Sequence, residues 1–169
     1  MLKDKVIKTI KTYNLIESGD KLVLGVSGGP DSISMLKILT DFKNEKIFKF
    51  DFVVAHINHG LRENAKLDEK FVKDYCDKNN IEFYVCHADI KKEAERNKKG
   101  IEETGRDIRY EFFNKIKLET NSNKIAIAHN SNDRAETVIM NLLRGARFIW
   151  IKRYRGNKRN IYKAINRVW

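Results

Sequence analysis

The chain has 169 residues, enough for one domain with a real core, and its 41% hydrophobic and 34% charged content reads as globular rather than disordered. No run approaches about 18 consecutive apolar residues, and the opening "MLKDKVIKTIKTYNLI" is too polar for a secretory segment, so neither a membrane span nor export is expected. The net charge of +11 suggests a polyanionic partner, but eight of the 34 basic residues lie from Arg147 onward with no acidic residue among them, and the remaining 26 face 23 acidic ones.

In chain order, the N-terminal stretch has helical periodicity. "KLVLGVS", "FDFVVAHIN", "IEFYVCHAD" and "KIAIAH" are short, apolar and rich in β-branched and aromatic residues, as buried parallel strands are. Between them, apolar spacings of three and four predict helices over 32–42, 65–79, 101–117 and 133–143. Strands alternating with helices predict an α/β fold: one parallel sheet with helices on both faces. The domain is expected over residues 1–146, with a basic tail over 147–169. Cys76 and Cys86 form no C-x-x-C pair and read as two reduced thiols in a cytoplasmic protein.

In such sheets ligands sit beyond the carboxyl ends of the strands. Three polar segments fall there: Ser27–Ser32, His56–Arg62 and His129–Asp133. In the first, Gly28 and Gly29 permit close backbone approach, so that amides can point at anionic oxygens. Ser27 and Ser32 add hydroxyls, Pro30 presets the start of a helix, and the helix dipole favours an anion beside Asp31. The same string also suits a plain strand–helix turn capped by Asp31 or Ser32.

"SGGPDS" after an apolar strand resembles the PP-loop of the N-type ATP pyrophosphatases. These enzymes cleave ATP between the α- and β-phosphates and need no Walker-type lysine, and the loop here has none. Three further stretches narrow the likeness. "VVAHINHGLRENAKLDEKFVKDYC", "GIEETGRDIRYEFF" and "IAIAHNSNDRAETVIMNLLRG" resemble, in order, segments of the tRNA(Ile)-lysidine synthetases, over about residues 20–146.

The resemblance implies an adenine nucleotide alpha hydrolase-like fold and a ligase acting with ATP and Mg2+. Its substrates would be free lysine and tRNA(Ile) with a CAU anticodon. C2 of the wobble cytidine is adenylated, and lysine then displaces AMP. It implies Asp31, Asp133 and Arg109 as catalytic, with Asp31 and Asp133 also holding metal. Ser27, Gly28, Gly29, Pro30, Asp31, Ser32, Ala55 and His56 would bind ATP, and His59, Arg62, Arg106 and Glu136 the other substrates. Each has a plainer alternative: Arg106 and Arg109 as solvated helix residues or partners of Glu102 and Glu103, and His56 and His59 as partners of loop backbone. A homodimer stays open.

The sequence departs from the family at Asn130, Asn132 and Thr104–Gly105. A glycine inside a helix costs about 1 kcal/mol against alanine, so a weakened or kinked helix is expected there. Past Gly145 the likeness stops. Shifting the reading frame of the tail by one base, with A/T-rich codons, yields the glycine-rich run ending in Arg-Pro that the family would carry. A single-base frameshift near Ala146 is therefore expected, and with it a truncated, poorly active form. The competing readings are a sulfur-inserting tRNA enzyme, a metabolic amidotransferase-type synthetase, and a non-catalytic ATP- or RNA-binding remnant.

Overall fold

A computed structural model describes residues 2–59, 65–128 and 150–151. The elements run α1 (Leu2–Tyr13), β1 (Asp20–Gly25), α2 (Pro30–Asn44), β2 (Phe50–Asn58), α3 (Ala65–Lys78), β3 (Phe83–His87), α4 (Ile90–Asn97), α5 (Ile101–Glu119), β4 (Lys124–Ile127) and β5 (Trp150–Ile151). The sheet order is β3-β2-β1-β4-β5. The first four strands are parallel, and β5 adds a short antiparallel edge that sets Trp150 opposite Ala126. No helix among the described residues is long and apolar enough to cross a membrane.

Alternate residues of the central strands feed two cores. Leu22 and Leu24 of β1 and Phe52 and Val54 of β2 face Val6, Ile10, Met35, Leu36, Leu39 and Val72 from α1, α2 and α3. Val23, Val53, Ala55 and Ile57 face Phe113 and Ile116 of α5. Helices therefore cover both faces, as expected from strands that are apolar throughout rather than alternating.

The five described helices end alike. Each is followed by or capped with a residue at positive φ (Asn14, Lys46, Asn80, Lys98 or Asn121). The next amide then reaches back across the last turn, as Leu15 does to Ile10 (3.0 Å) and Ile81 to Cys76 (3.0 Å).

Two local readings change. Helix α4 was not predicted; it is short, and Asp89 starts it by accepting from the Lys92 amide at 3.2 Å. Helix α5 runs without interruption through Thr104 and Gly105. A Cβ at Gly105 would lie 3.1 Å from Ile90 Cδ1, so the glycine serves close packing of α4 on α5. The helix predicted over 133–143 lies outside the described residues, as does the tail apart from β5.

At the amino end of the sheet, Lys124 of β4 is nearly buried and donates to Asp20 of β1 at 2.6 Å and to Glu17 at 2.9 Å. Asn123 Nδ2 adds a 2.6 Å bond to Asp20 Oδ1. Burial alone would push the Asp20 carboxyl up. Hydrogen bonds from the Glu17 amide, Lys124 and Asn123 outweigh it and hold the group below its ordinary range. Burial likewise opposes the Lys124 charge, but Asp20 and Glu17 raise it on balance.

This pair ties β1 to β4, the two strands between which the chain reverses its direction across the sheet. Asp20→Ala should lower stability by about 3 kcal/mol, because it removes the buried partner of Lys124 and leaves that ammonium only the exposed Glu17. A depressed carboxyl stabilises above its unfolded value and loses that contribution on acidification. Thermal melting of the wild type should therefore fall steeply below about pH 4, and that of Asp20→Asn more gently.

Candidate active site

The parallel strands open at their carboxyl ends into a cleft of about 490 Å³. It lies beside the switch point between β1 and β4, where α/β sheets place ligands. Five regions converge on it. The β1–α2 junction brings Ser27 and Gly29–Ser32, and the end of β2 brings His56–His59. The first turn of α3 brings Ala65 and Asp68, Arg109 comes from α5, and Ala128 follows β4.

The loop is shaped by its own side chains. Ser32 Oγ donates to the Gly29 carbonyl at 2.8 Å and accepts from the Ser27 amide at 3.2 Å and the Ser27 hydroxyl at 3.3 Å. Gly28 takes φ +88°, which disfavours any side chain, and a Cβ there would lie 2.7 Å from Asp68 Cβ. Gly29 caps α2 without a side-chain hydrogen bond, and Pro30 follows it with no amide proton to satisfy. The amides of Asp31 and Ser32 therefore begin the helix with no acceptor in the preceding turn, at the positive end of its dipole.

Across the cleft, His56 is 2% exposed and its Nδ1 lies 2.8 Å from the Val26 carbonyl. A carbonyl only accepts, so Nδ1 carries a proton and donates it to Val26. Arg109 is half-buried, and no carboxylate among the described residues pairs with it. Burial pushes its guanidinium below the ordinary arginine range, with Arg106 adding to that effect and Tyr110 opposing it. A part-desolvated cation in one cleft with the first free amides of a helix suits an anion.

Of the residues expected from sequence, Ser27, Gly29, Pro30, Asp31, Ser32, His56, His59 and Arg109 line one cleft. Gly28 shapes the loop from behind. Ala55 is fully buried in β2, where its carbonyl accepts from the Val26 amide at 3.0 Å. Arg106 stands apart: it is exposed and lies 3.9 Å from Glu102, the partner offered as its plainer alternative. Arg62, Asp133 and Glu136 lie outside the described residues. Sequence reasoning missed Asn58 and Asp68. The latter reads in sequence as an ordinary acidic residue in a helix's first turn, and nothing local announces Gly28 as its neighbour.

For a divalent ion, oxygen ligands from one or two carboxylates completed by phosphate suit Mg2+. Asp31 and Asp68 in the cleft fit that pattern, and no group of three or more metal-binding side chains occurs among the described residues.

Gly28→Ala tests the loop geometry. It should cost about 1–2 kcal/mol for the left-handed backbone alone, seen as a lowered melting temperature. It should also weaken binding of inorganic pyrophosphate, measured by calorimetry.

Comparison with known proteins agrees with this geometry. The chain is 44% identical over 160 residues to the tRNA(Ile)-lysidine synthase of Clostridium tetani, covering 94% of this chain and 34% of that protein. It is 47% identical over 146 residues to the tRNA(Ile)-lysidine synthase of Clostridium acetobutylicum, covering 86% and 31%. The chain thus spans about a third of the length of the curated relatives it matches. Among solved structures, the U34-tRNA thiolase NcsA from Methanococcus maripaludis, with its iron–sulfur cluster, is similar at a TM-score of 0.63 and 25% identity, covering 85% of this chain and 50% of that one. The profile of the PP-loop domain matches residues 2–163, through every element described above, and by that match the chain belongs to the PP-loop domain family.

Proposed function

We propose that the chain is the nucleotide-binding part of a tRNA(Ile)-lysidine synthetase, a cytoplasmic ligase that joins lysine to the wobble cytidine of tRNA(Ile) with a CAU anticodon. The observation that carries this reading is the half-buried Arg109, without a described carboxylate partner, in one cleft with the donor-lined loop Ser27–Ser32. Identity of 44–47% to curated relatives of that name supports the choice of substrate.

In the proposed reaction the cytidine C2 oxygen attacks the α-phosphorus of ATP. The bond from that phosphorus to the β-phosphate oxygen breaks, and pyrophosphate leaves with the electron pair. The lysine amino group then adds to C2, loses a proton, and expels AMP with the former C2 oxygen. Mg2+, when bound, would offset charge on the phosphates, held by Asp31 in the cleft and by Asp133, the ligand that the family resemblance implies, with Asp68 lining the same cleft.

The chain's own groups serve the first step. Amides of Asp31 and Ser32 point at phosphate oxygens, and Arg109 offers a bidentate fork to the departing pyrophosphate. His56, holding its Nδ1 proton on the Val26 carbonyl, lines the nucleotide side of the cleft. His59, Arg62 and Glu136 are assigned to lysine and the tRNA base, and Arg106 to their outer rim.

A sulfur-transfer reading is the rival, because a thiolase shares the fold. Sulfur chemistry needs an accessible thiolate. Burial, with a smaller contribution from Asp77, pushes the Cys76 thiol up to about 12, and burial also raises Cys86.

We also propose that the basic run after Arg147 arose by a one-base slip near Ala146. Sequencing the coding DNA decides this: an unbroken frame, with no family-like peptide in the next one, overturns it.

Arg109→Ala should weaken ATP binding by about tenfold or more, ~1.4 kcal/mol, and Arg109→Lys should restore only part of it for want of the planar fork. Unchanged ATP affinity in both variants would sink the reading. The double variant Cys76→Ala, Cys86→Ser should bind ATP as the wild type does. With tRNA(Ile) and lysine supplied, whatever AMP release the wild type shows should persist in the double variant, and its loss there would favour the sulfur enzyme, whose thiol acts in the step that expels AMP.

A further inference from the structure

The β2 side of the cleft is held by a group that plays no part in the chemistry above. Asn58 is the last residue of β2, is 8% exposed, and lines the cleft. Its Nδ2 donates to Glu69 Oε2 of α3 at 2.7 Å and, at 3.4 Å, to the Ala65 carbonyl. Both partners only accept, so they fix which end of the amide faces α3. The Asn58 carbonyl accepts from the Ala88 amide at 3.0 Å, which holds the backbone to the far side of β3. Glu69 Oε2 takes a second contact from His87 Nε2 at 2.9 Å, although His87 is 65% exposed.

The arrangement joins the end of β2 to the first turn of α3, since Asn58 bonds to both Ala65 and Glu69. The residue before Glu69 is Asp68, whose Cβ fills the space where a side chain on Gly28 would stand. One turn of α3 therefore touches the phosphate loop with Asp68 and the β2 end with Glu69.

We propose that Glu69 is a positioning residue for the nucleotide cleft: through Asn58 it sets the wall formed by the end of β2 and the first turn of α3. The inference rests on the nucleotide reading of the cleft for its ligand, but not for its mechanics. Asn58 chiefly, then His87, keeps the Glu69 carboxyl ionised below its ordinary range against the opposing effect of burial, so the clamp is charge-assisted.

The test uses the full chain with ATP as probe and two readouts, calorimetric affinity and backbone amide exchange across residues 58–66. Glu69→Ala should weaken ATP binding about five- to tenfold, as expected for one lost hydrogen bond and its geometry, and should speed exchange in that segment. Glu69→Gln, which can still accept from Asn58, should stay within about twofold of wild type in affinity. His87→Ala should behave likewise.

A Glu69→Ala protein with a lowered melting temperature but unchanged affinity and unchanged exchange at 58–66 would overturn the proposal and leave Glu69 merely structural. If the wild type binds no ATP, the nucleotide reading fails by itself. The exchange readout still decides: local acceleration in Glu69→Ala but not in Glu69→Gln supports the clamp, and unchanged or uniformly altered exchange overturns it.

Discussion

The cleft depends on how closely α5 can approach β1. A Cβ on Gly25, the last residue of β1, would lie 2.6 Å from Phe113 Cζ, so only a glycine lets that ring settle onto the strand end. Phe113 is 3% exposed and, with Ile116, anchors α5 over Val23 and Val53. Arg109 lies one turn before Phe113 on the same helix, so the depth of the aromatic ring sets the reach of the guanidinium. An apolar packing contact thereby positions the charge that faces the phosphate loop.

Around this contact the other parts fall into a division of labour. The Lys124–Asp20 pair ties the amino ends of β1 and β4 together, and the two strands stay paired as far as Gly25 and Ile127, with the cleft beyond them. On the other side, α3 begins directly against the glycine loop. The sheet is thus tied at the end remote from the ligand and shaped by close approach at the end that meets it, an arrangement in which conservative changes at glycine positions matter more than changes among the many surface lysines.

Much of this was legible in the sequence wherever the signal is local. "FDFVVAHIN" is the whole of β2, because a strand buried on both faces is uniformly apolar and ends abruptly at polar residues. The glycine loop was legible for the same reason, being six consecutive residues with one conformational demand. Helix α4 was not, since eight residues with only Ile90 and Ala94 buried give too little periodicity to stand out. Arg106 and Arg109 were inseparable in sequence because both keep helical register with Phe113. Three residues of rise, about 4.5 Å, separate the one that reaches back to Glu102 from the one that lines the cleft. The contacts of Asp68 with Gly28 and of Glu69 with Asn58 join segments far apart in the chain, and no local pattern encodes them.

Ser32 was expected as one more hydroxyl donor to a ligand, and its hydrogen bonds point to a subtler consequence. The Gly29 carbonyl accepts from Ser32 Oγ at 2.8 Å and from the Ile33 amide at 3.0 Å, which occupies both of its lone pairs. A peptide loop normally offers an incoming anion as many repelling oxygens as attracting protons. Here the chain satisfies the Gly29 oxygen itself, while the Asp31 and Ser32 amides have no acceptor in the preceding turn, giving the loop a polarity that no single residue of it possesses. That polarity is set before any ligand arrives, so the entropy of ordering the loop is met during folding rather than at the moment of binding.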